Sequence, residues 1–275
     1  MLDDKQENVT PQIDFQTELS GFNDFTDQVA YLPGGYGGLG EAIAWGLAMR
    51  GAKVVISGRN EDKATKLAGD IAAAGFAATG IQCDATNVDS IKKSTDAVVD
   101  TYGGIDLLVN CVGIQIEEPL LEVKEVSFDL VYETNLKSAM FLAQASARHQ
   151  VDQGRGGRQI HLLSVRSQLG IMGRGYSAYC STKGGMAMLI KQHAVELAEH
   201  QITVNGVAPT FVYTELIRYI VEDPEYHAKL TSRIPLGRIA DPKDVVGAAL
   251  YFLSPAASFV TGQVLYVDGG ITATQ

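Results

Sequence analysis

Tyr179 and Lys183 stand four residues apart in the stretch SVRSQLGIMGRGYSAYCSTK (164–183). On a helix that spacing puts both side chains on one face. A free phenol titrates near about pH 10, and a neighbouring ammonium favours the phenolate and lowers that value. A tyrosine tuned in this way gives or takes a proton near neutral pH. The expectation is an acid–base pair in which Lys183 lowers the pKa of Tyr179. A lone YxxxK recurs by chance, so its weight depends on the elements around it.

A second stretch with chemistry in it is Gly34-Gly35-Tyr36-Gly37-Gly38-Leu39-Gly40. It follows QVAYL (28–32), which reads as a short buried strand. It precedes EAIAWGLAMRG (41–51), whose apolar residues recur at helical spacing. Strand, glycine turn and helix start together suit the pyrophosphate of a dinucleotide. Glycine lets the backbone come close, and the helix N-terminus offers free N–H groups. The next strand, KVVIS (53–57), leads into Gly58-Arg59. Folds that prefer NAD place an acid there for the ribose 2′-hydroxyl. Gly58 takes that place, and the Arg59 guanidinium suits a 2′-phosphate. NADP(H) is therefore favoured, with NAD(H) as the alternative.

The positioning elements alternate along the chain. Strands are expected at 78–84, 105–110, 159–164, 202–208 and 262–270, and helices at 60–75, 87–102, 124–150, 176–199 and 241–254. Asp241 and Pro242 make a good start for the last helix. The strands are apolar without alternation, which indicates burial on both faces. The predicted fold is a single α/β domain: a doubly wound (Rossmann) parallel sheet of about seven strands with helices on both faces. Residues 1–26 read as a polar extension that Phe15, Phe22 and Phe25 could tack onto the body at 27–275. The irregular region 209–238 leaves a strand end and is a candidate substrate lid. A helix pair at an oligomer interface is the other reading of it.

Composition narrows the partners. A net charge of −10 argues against nucleic acid. The cysteines Cys83, Cys111 and Cys180 are odd in number and widely spaced, without metal-ligand spacing, so a reduced cytoplasmic chain with no metal is expected. MLDDKQENVT does not read as a signal peptide, and no apolar run approaches the roughly 18 residues of a membrane helix.

Taken in order, these motifs resemble the short-chain dehydrogenase/reductases over residues 26–271, and within them a gluconate 5-dehydrogenase or 3-oxoacyl-carrier-protein reductase-like branch. The family's TGxxxGxG is seen as Pro33 to Gly40 and its NNAG as Asn110-Cys111-Val112-Gly113. Its mid-helix asparagine is Asn135, its strand-end serine Ser164, its YxxxK Tyr179 and Lys183, and its PG turn Pro209-Thr210. The resemblance implies Tyr179 as general acid/base, with Lys183 holding the nicotinamide ribose and tuning it. It implies Ser164 on the substrate oxygen and Asn135 holding a relay water. It implies cofactor contacts from Gly34, Tyr36, Gly38, Leu39, Gly40, Asp84, Ala85, Asn110, Val112, Gly113, Pro209, Val212 and Thr214. It also implies a homotetramer, and a secondary alcohol–ketone oxidoreductase acting on a small molecule.

The chain departs from the pattern at Pro33, Cys111 and Thr210. The serine-to-tyrosine spacing also departs: fifteen residues from Ser164, or twelve from Ser167. Ser164 is preferred because it ends a strand. Arg166 and Arg174 on this loop suit a carboxylate, which points to a sugar acid, polyol or related polar hydroxy compound. A 3-oxoacyl thioester or a sterol ketone is the alternative substrate, and a non-catalytic dinucleotide sensor the alternative class. His161 is expected to be a core or interface residue rather than a catalyst.

Overall fold

Valine, isoleucine and leucine runs form the strands because β-branched and bulky side chains fit a pleated surface buried on both sides. The computed structural model describes residues 21–214 and 223–274. Its strands are β1 (Val29–Pro33), β2 (Lys53–Gly58), β3 (Ala78–Gln82), β4 (Leu107–Asn110), β5 (Gly157–Leu162), β6 (Ile202–Pro209) and β7 (Val264–Val267). They form one parallel sheet in the order β3-β2-β1-β4-β5-β6-β7. The order reverses between β1 and β4, and that is where a crevice opens at the strand ends.

The helices are α1 (Gly38–Ala48), α2 (Glu61–Ala73), α3 (Val88–Tyr102), α4 (Glu125–Tyr132), α5 (Ser138–Gln153), α6 (Ser177–Leu197), α7 (Pro224–Thr231) and α8 (Pro242–Leu253). Period-two alternation sends neighbouring strand residues to opposite layers. Leu32 and Ile56 join Ile43, Leu47, Ile71 and Leu250 of α1, α2 and α8. Tyr31 and Val55 join Ile91, Val98 and Leu142 of α3 and α5. On that second side α6 adds Met186 and Ile190 against Val204 and Ala208. Each fully buried leucine or isoleucine contributes about 1.5–3 kcal/mol by transfer from water. These two layers hold the loop ends rigidly above the sheet.

Local signals set the helix starts. Asn60 accepts the Lys63 N–H, Asn87 accepts the Ser90 N–H, and Asp244 accepts the Asp241 N–H. The structure departs from expectation in two places. The helix expected over 124–150 is interrupted by a π-helical turn, Glu133–Lys137, that contains Asn135. Such turns insert one residue and re-aim the side chains around them. Strand β5 stops at Leu162, so Ser164 instead begins a 3-10 turn and accepts the Arg166 N–H. Phe25, one of the aromatics that could tack the extension onto the body, is wholly buried in the core, and its N–H donates to Arg50 O. Phe15 lies outside the described residues, as does 215–222 of the expected lid. In the rest of that region Leu230, Ile234 and Ile239 pack together under α7. Among the described residues no helix is long and apolar enough to cross a membrane, and no group of side chains could hold a metal ion.

Candidate active site

The end of β5 and the start of α6 meet at the mouth of the crevice. Lys183 is buried, and its Nζ donates to the Leu162 carbonyl at 2.7 Å. The same Nζ stands 5.7 Å from the centre of the Tyr179 ring. The Ser164 hydroxyl interacts with the Tyr179 phenol and favours its ionised form. Ser167 turns elsewhere: its hydroxyl donates to Ser164 O at 2.8 Å and lies 3.1 Å from the Tyr266 hydroxyl. Ser164 is thus the serine beside the phenol, despite the fifteen-residue spacing.

The electrostatics correct one expectation. Burial pushes the Tyr179 phenol up to about 12, against the opposing pull of Ser164 and the more distant Arg166. Burial likewise brings Lys183 down to about 8, against a smaller upward pull from Cys111. Lys183 was expected to lower the phenol. Loss of water dominates instead, because burial disfavours the charged form of both groups. At pH 7 the pair is therefore a neutral phenol beside an ammonium, an arrangement ready to give a proton.

Two asparagines shape the floor. A Cβ added to Gly113 would lie 3.5 Å from Lys183 Nζ and 3.6 Å from Asn135 Oδ1, so the Asn110–Gly113 turn meets both. Asn135 Oδ1 accepts the Ile114 N–H at 2.8 Å, and its Nδ2 donates to Ile114 O at 2.9 Å. Its side chain thereby pins the loop after β4. Asn110 lies behind the turn and accepts the Val112 N–H at 3.0 Å. On its other side Asn110 Nδ2 meets His161 Nδ1 at 3.1 Å. Burial holds His161 down at about 3, so it is neutral and part of the core, as expected.

A cavity of about 240 Å³ runs between the glycine loop and the ends of β2, β3 and β4. Gly34, Tyr36, Arg59, Asp84, Ala85, Val112 and Gly113 are among its lining. Gly34 has φ +73°, and a Cβ there would lie 3.0 Å from the backbone of Cys111 and Val112. Only glycine suits so close an approach in the left-handed region. No side chain caps the start of α1 at Gly37, which leaves its first N–H groups for a ligand. These donors, the cradle and Arg59 fit a phosphorylated dinucleotide. Gly40 and Leu39 support the loop from behind: Gly40 abuts Gly35, and Leu39 packs on the core. Beyond Pro209, Val212 is buried and bridges Ala240, and a Cβ on Gly38 would lie 2.8 Å from Thr214 Cγ2. Thr214 is thereby set against the glycine loop.

A family model described as enoyl-(acyl carrier protein) reductase matches residues 35–272, which contain this arrangement apart from Gly34. The chain belongs to the short-chain dehydrogenase/reductase family. This short-chain dehydrogenase/reductase is 38% identical over 250 residues to a gluconate 5-dehydrogenase of Gluconobacter oxydans, covering 89% of this chain and 94% of the relative. It is 34% identical over 245 residues to a 3-oxoacyl-[acyl-carrier-protein] reductase of Vibrio cholerae, covering 89% and 97%. Among solved structures it is similar to a gluconate 5-dehydrogenase of Burkholderia cenocepacia in complex with NADP and tartrate. That match has a TM-score of 0.88 and 35% identity, covering 92% of this chain and 98% of that one.

The two loop arginines of this dehydrogenase/reductase part company. Arg166 is only 6% exposed, and its Nη1 donates to the carbonyls of Leu169 and Gly170. Among the described residues it has no carboxylate partner. Arg174 grips both carboxylate oxygens of Glu117, donates to the Tyr226 hydroxyl at 2.6 Å and lies over the Tyr176 ring. Its charge is already matched, so the expectation of a substrate anchor there fails on geometry. Glu117, Tyr176 and Tyr226 escaped the reading of the sequence. Tyr176 packs edge-on to Tyr179 with ring centres 6.1 Å apart. Glu117 comes from the loop after β4 and Tyr226 from α7, and no local spacing ties them to Arg174.

Proposed function

We propose that this NAD(P)-dependent oxidoreductase interconverts a secondary alcohol and a ketone on a sugar acid or a related polar hydroxy acid, with NADP(H) as its cofactor. The observation that carries the reading is the meeting of Tyr179, Ser164 and Lys183 beside Gly113 at the open end of the nucleotide cavity. Bound in that cavity, the nicotinamide supplies or accepts the hydride. In the reducing direction Tyr179 gives its proton to the carbonyl oxygen, and Ser164 hydrogen-bonds the same oxygen. Lys183 steadies the resulting phenolate, and Asn135 holds the loop that fixes Gly113. Gly34, Gly38 and the first turn of α1 would hold the pyrophosphate, Asp84 and Ala85 the adenine end, and Pro209 to Thr214 the nicotinamide amide.

Arg166 supports the substrate class. It is a buried cation two residues from Ser164, with donors suited to a carboxylate. The structurally similar B. cenocepacia gluconate 5-dehydrogenase holds tartrate, and the G. oxydans relative is also a gluconate 5-dehydrogenase. A 3-oxoacyl thioester on an acidic carrier fits less well with a net charge of −10. We assign the cytoplasm as its compartment, in keeping with the free thiols of Cys83, Cys111 and Cys180. A homotetramer built on α5 and α6 is also proposed. It is supported by the groove of about 530 Å³ between them, which includes Met140, Val151 and Leu197. His193 in that groove is fourteen residues along α6 from Tyr179, about 21 Å by helical rise, so the groove is separate from the chemistry. Light scattering would test the assembly, and a monomer at micromolar concentration would refute it.

The test of function follows nicotinamide absorbance with NADP(H) and NAD(H) against aldonic acids, their keto forms, neutral polyols and sterols. Acids are expected to turn over best. Tyr179→Phe is expected to lose about 10²–10⁴-fold in turnover while still binding NADPH. Full turnover in that variant would end the reading.

A further inference from the structure

The ring of Tyr36 lies against the Cα of Gly58, at the end of β2. A Cβ added to Gly58 would sit 2.3 Å from Tyr36 Cε1 and 2.8 Å from its hydroxyl oxygen, distances that real contacts do not show. The glycine loop thus reaches sideways and fills the space in which a side chain at position 58 would stand. The Asn60 N–H donates to the Tyr36 hydroxyl at 3.3 Å, which fixes the ring in that place. A hydroxyl that accepts one hydrogen bond still has its own proton to donate. Tyr36, Gly58 and Arg59 all line the nucleotide cavity, along with Asp84 and Ala85.

We propose that Tyr36 is a specificity-determining residue for the cofactor. Its ring bars an acid from position 58, and its hydroxyl joins the Arg59 guanidinium in holding the 2′-phosphate of NADP(H). Position 58 is where a carboxylate would grip the ribose 2′-hydroxyl of NAD. Gly58 and Tyr36 are therefore one device: the glycine admits the ring, and the ring keeps out the acid. Arg59 alone would attract the phosphate, but a flexible cation discriminates less sharply than a cation paired with a fixed neutral donor. This inference rests on the cofactor reading above and concerns only its adenosine end, so a test without turnover separates the two.

The experiment titrates the full chain calorimetrically with 2′,5′-ADP and with 5′-AMP, while melting curves check that each variant is folded. Wild type is expected to bind 2′,5′-ADP about tenfold or more tightly than 5′-AMP, as charge-assisted hydrogen bonds predict. Tyr36→Phe keeps the ring and removes only the hydroxyl. It should lower that ratio by about threefold to tenfold, with 5′-AMP affinity unchanged. Gly58→Asp alone should not improve 5′-AMP binding, whereas the pair Tyr36→Ser with Gly58→Asp should improve it by about threefold or more. A Tyr36→Phe ratio within twofold of wild type overturns the hydroxyl's role. A Gly58→Asp single variant that gains 5′-AMP affinity as fully as the double overturns the exclusion. Wild type that binds neither nucleotide would sink the cofactor reading itself, and this inference with it.

Discussion

Arg166 and Arg174 leave the same loop eight residues apart and meet opposite surroundings. Arg166 is buried among Tyr176, Tyr179 and Cys180, within the field of a second cation, Arg233, and burial holds it below the ordinary arginine range. Arg174 sits at the rim, where its hydrogen bonds to Glu117 raise its pKa and lower that of Glu117. The two have the same residue type but opposite uses. A buried cation without an acid is costly unless a ligand completes it, whereas a matched one ties parts of the protein together. Arg174 joins the loops after β4 and β5 to α7.

The deepest cut into this contrast is Lys183→Met. Turnover should be lost, yet the variant should be more stable at pH 7. The fall from 10.5 to about 8 corresponds to about 3 kcal/mol of burial penalty. That penalty is complete below about pH 8, where the ammonium persists in both states. It fades between about 8 and 10.5, as the folded form sheds its proton and the unfolded form keeps it. Denaturant midpoints at pH 7 and 10.5 would measure this, and equal gains at both would contradict the burial account. Next in size, Arg166→Met should cost about 10–100-fold in kcat/KM on carboxylate substrates and little on neutral polyols. Equal losses on both would reduce Arg166 to a brace for Leu169 and Gly170. Arg166→Lys should restore little, since a point charge does not copy a planar fork.

Arg174→Met should act more weakly. A rise in KM of up to about fivefold with kcat retained is expected from the loss of a partly exposed ion pair. Amide exchange over 224–231 should quicken at the same time, and a fall in kcat with unchanged KM would place Arg174 in the chemistry instead. The smallest effect is on pH. Ketone reduction should hold a plateau below about pH 8 and stand near half of it at about pH 8, where Lys183 loses its charge. A flat profile to pH 10 would detach Lys183 from the reaction.

Much of this was legible before any coordinates. The apolar runs, the glycine turn and the Asp241–Pro242 start carry their meaning in local spacing, and all appear in the fold. YxxxK places its pair because a helix is periodic. The π turn at Asn135 was not legible, since the partner of Asn135 there is the Ile114 backbone, 21 residues away in sequence. The preference for Ser164 over Ser167 was made on a strand end that stops at Leu162, and the contact of Ser167 with Tyr266, about a hundred residues away in sequence, was not legible.

The sequence alone determined which chemical groups are present and in what order: a phenol and an amine one helical turn apart, a glycine loop, a glycine where an acid would mark NAD and an arginine after it. Period and turn chemistry are local properties, so they survive without a third dimension. Only the folded chain decided the charges and the pairings. Burial raised the phenol that a nearby amine was expected to lower, and a distant loop and a distant helix brought Glu117 and Tyr226 to Arg174. Desolvation and long-range contact depend on what lies alongside in space, and no linear spacing records that.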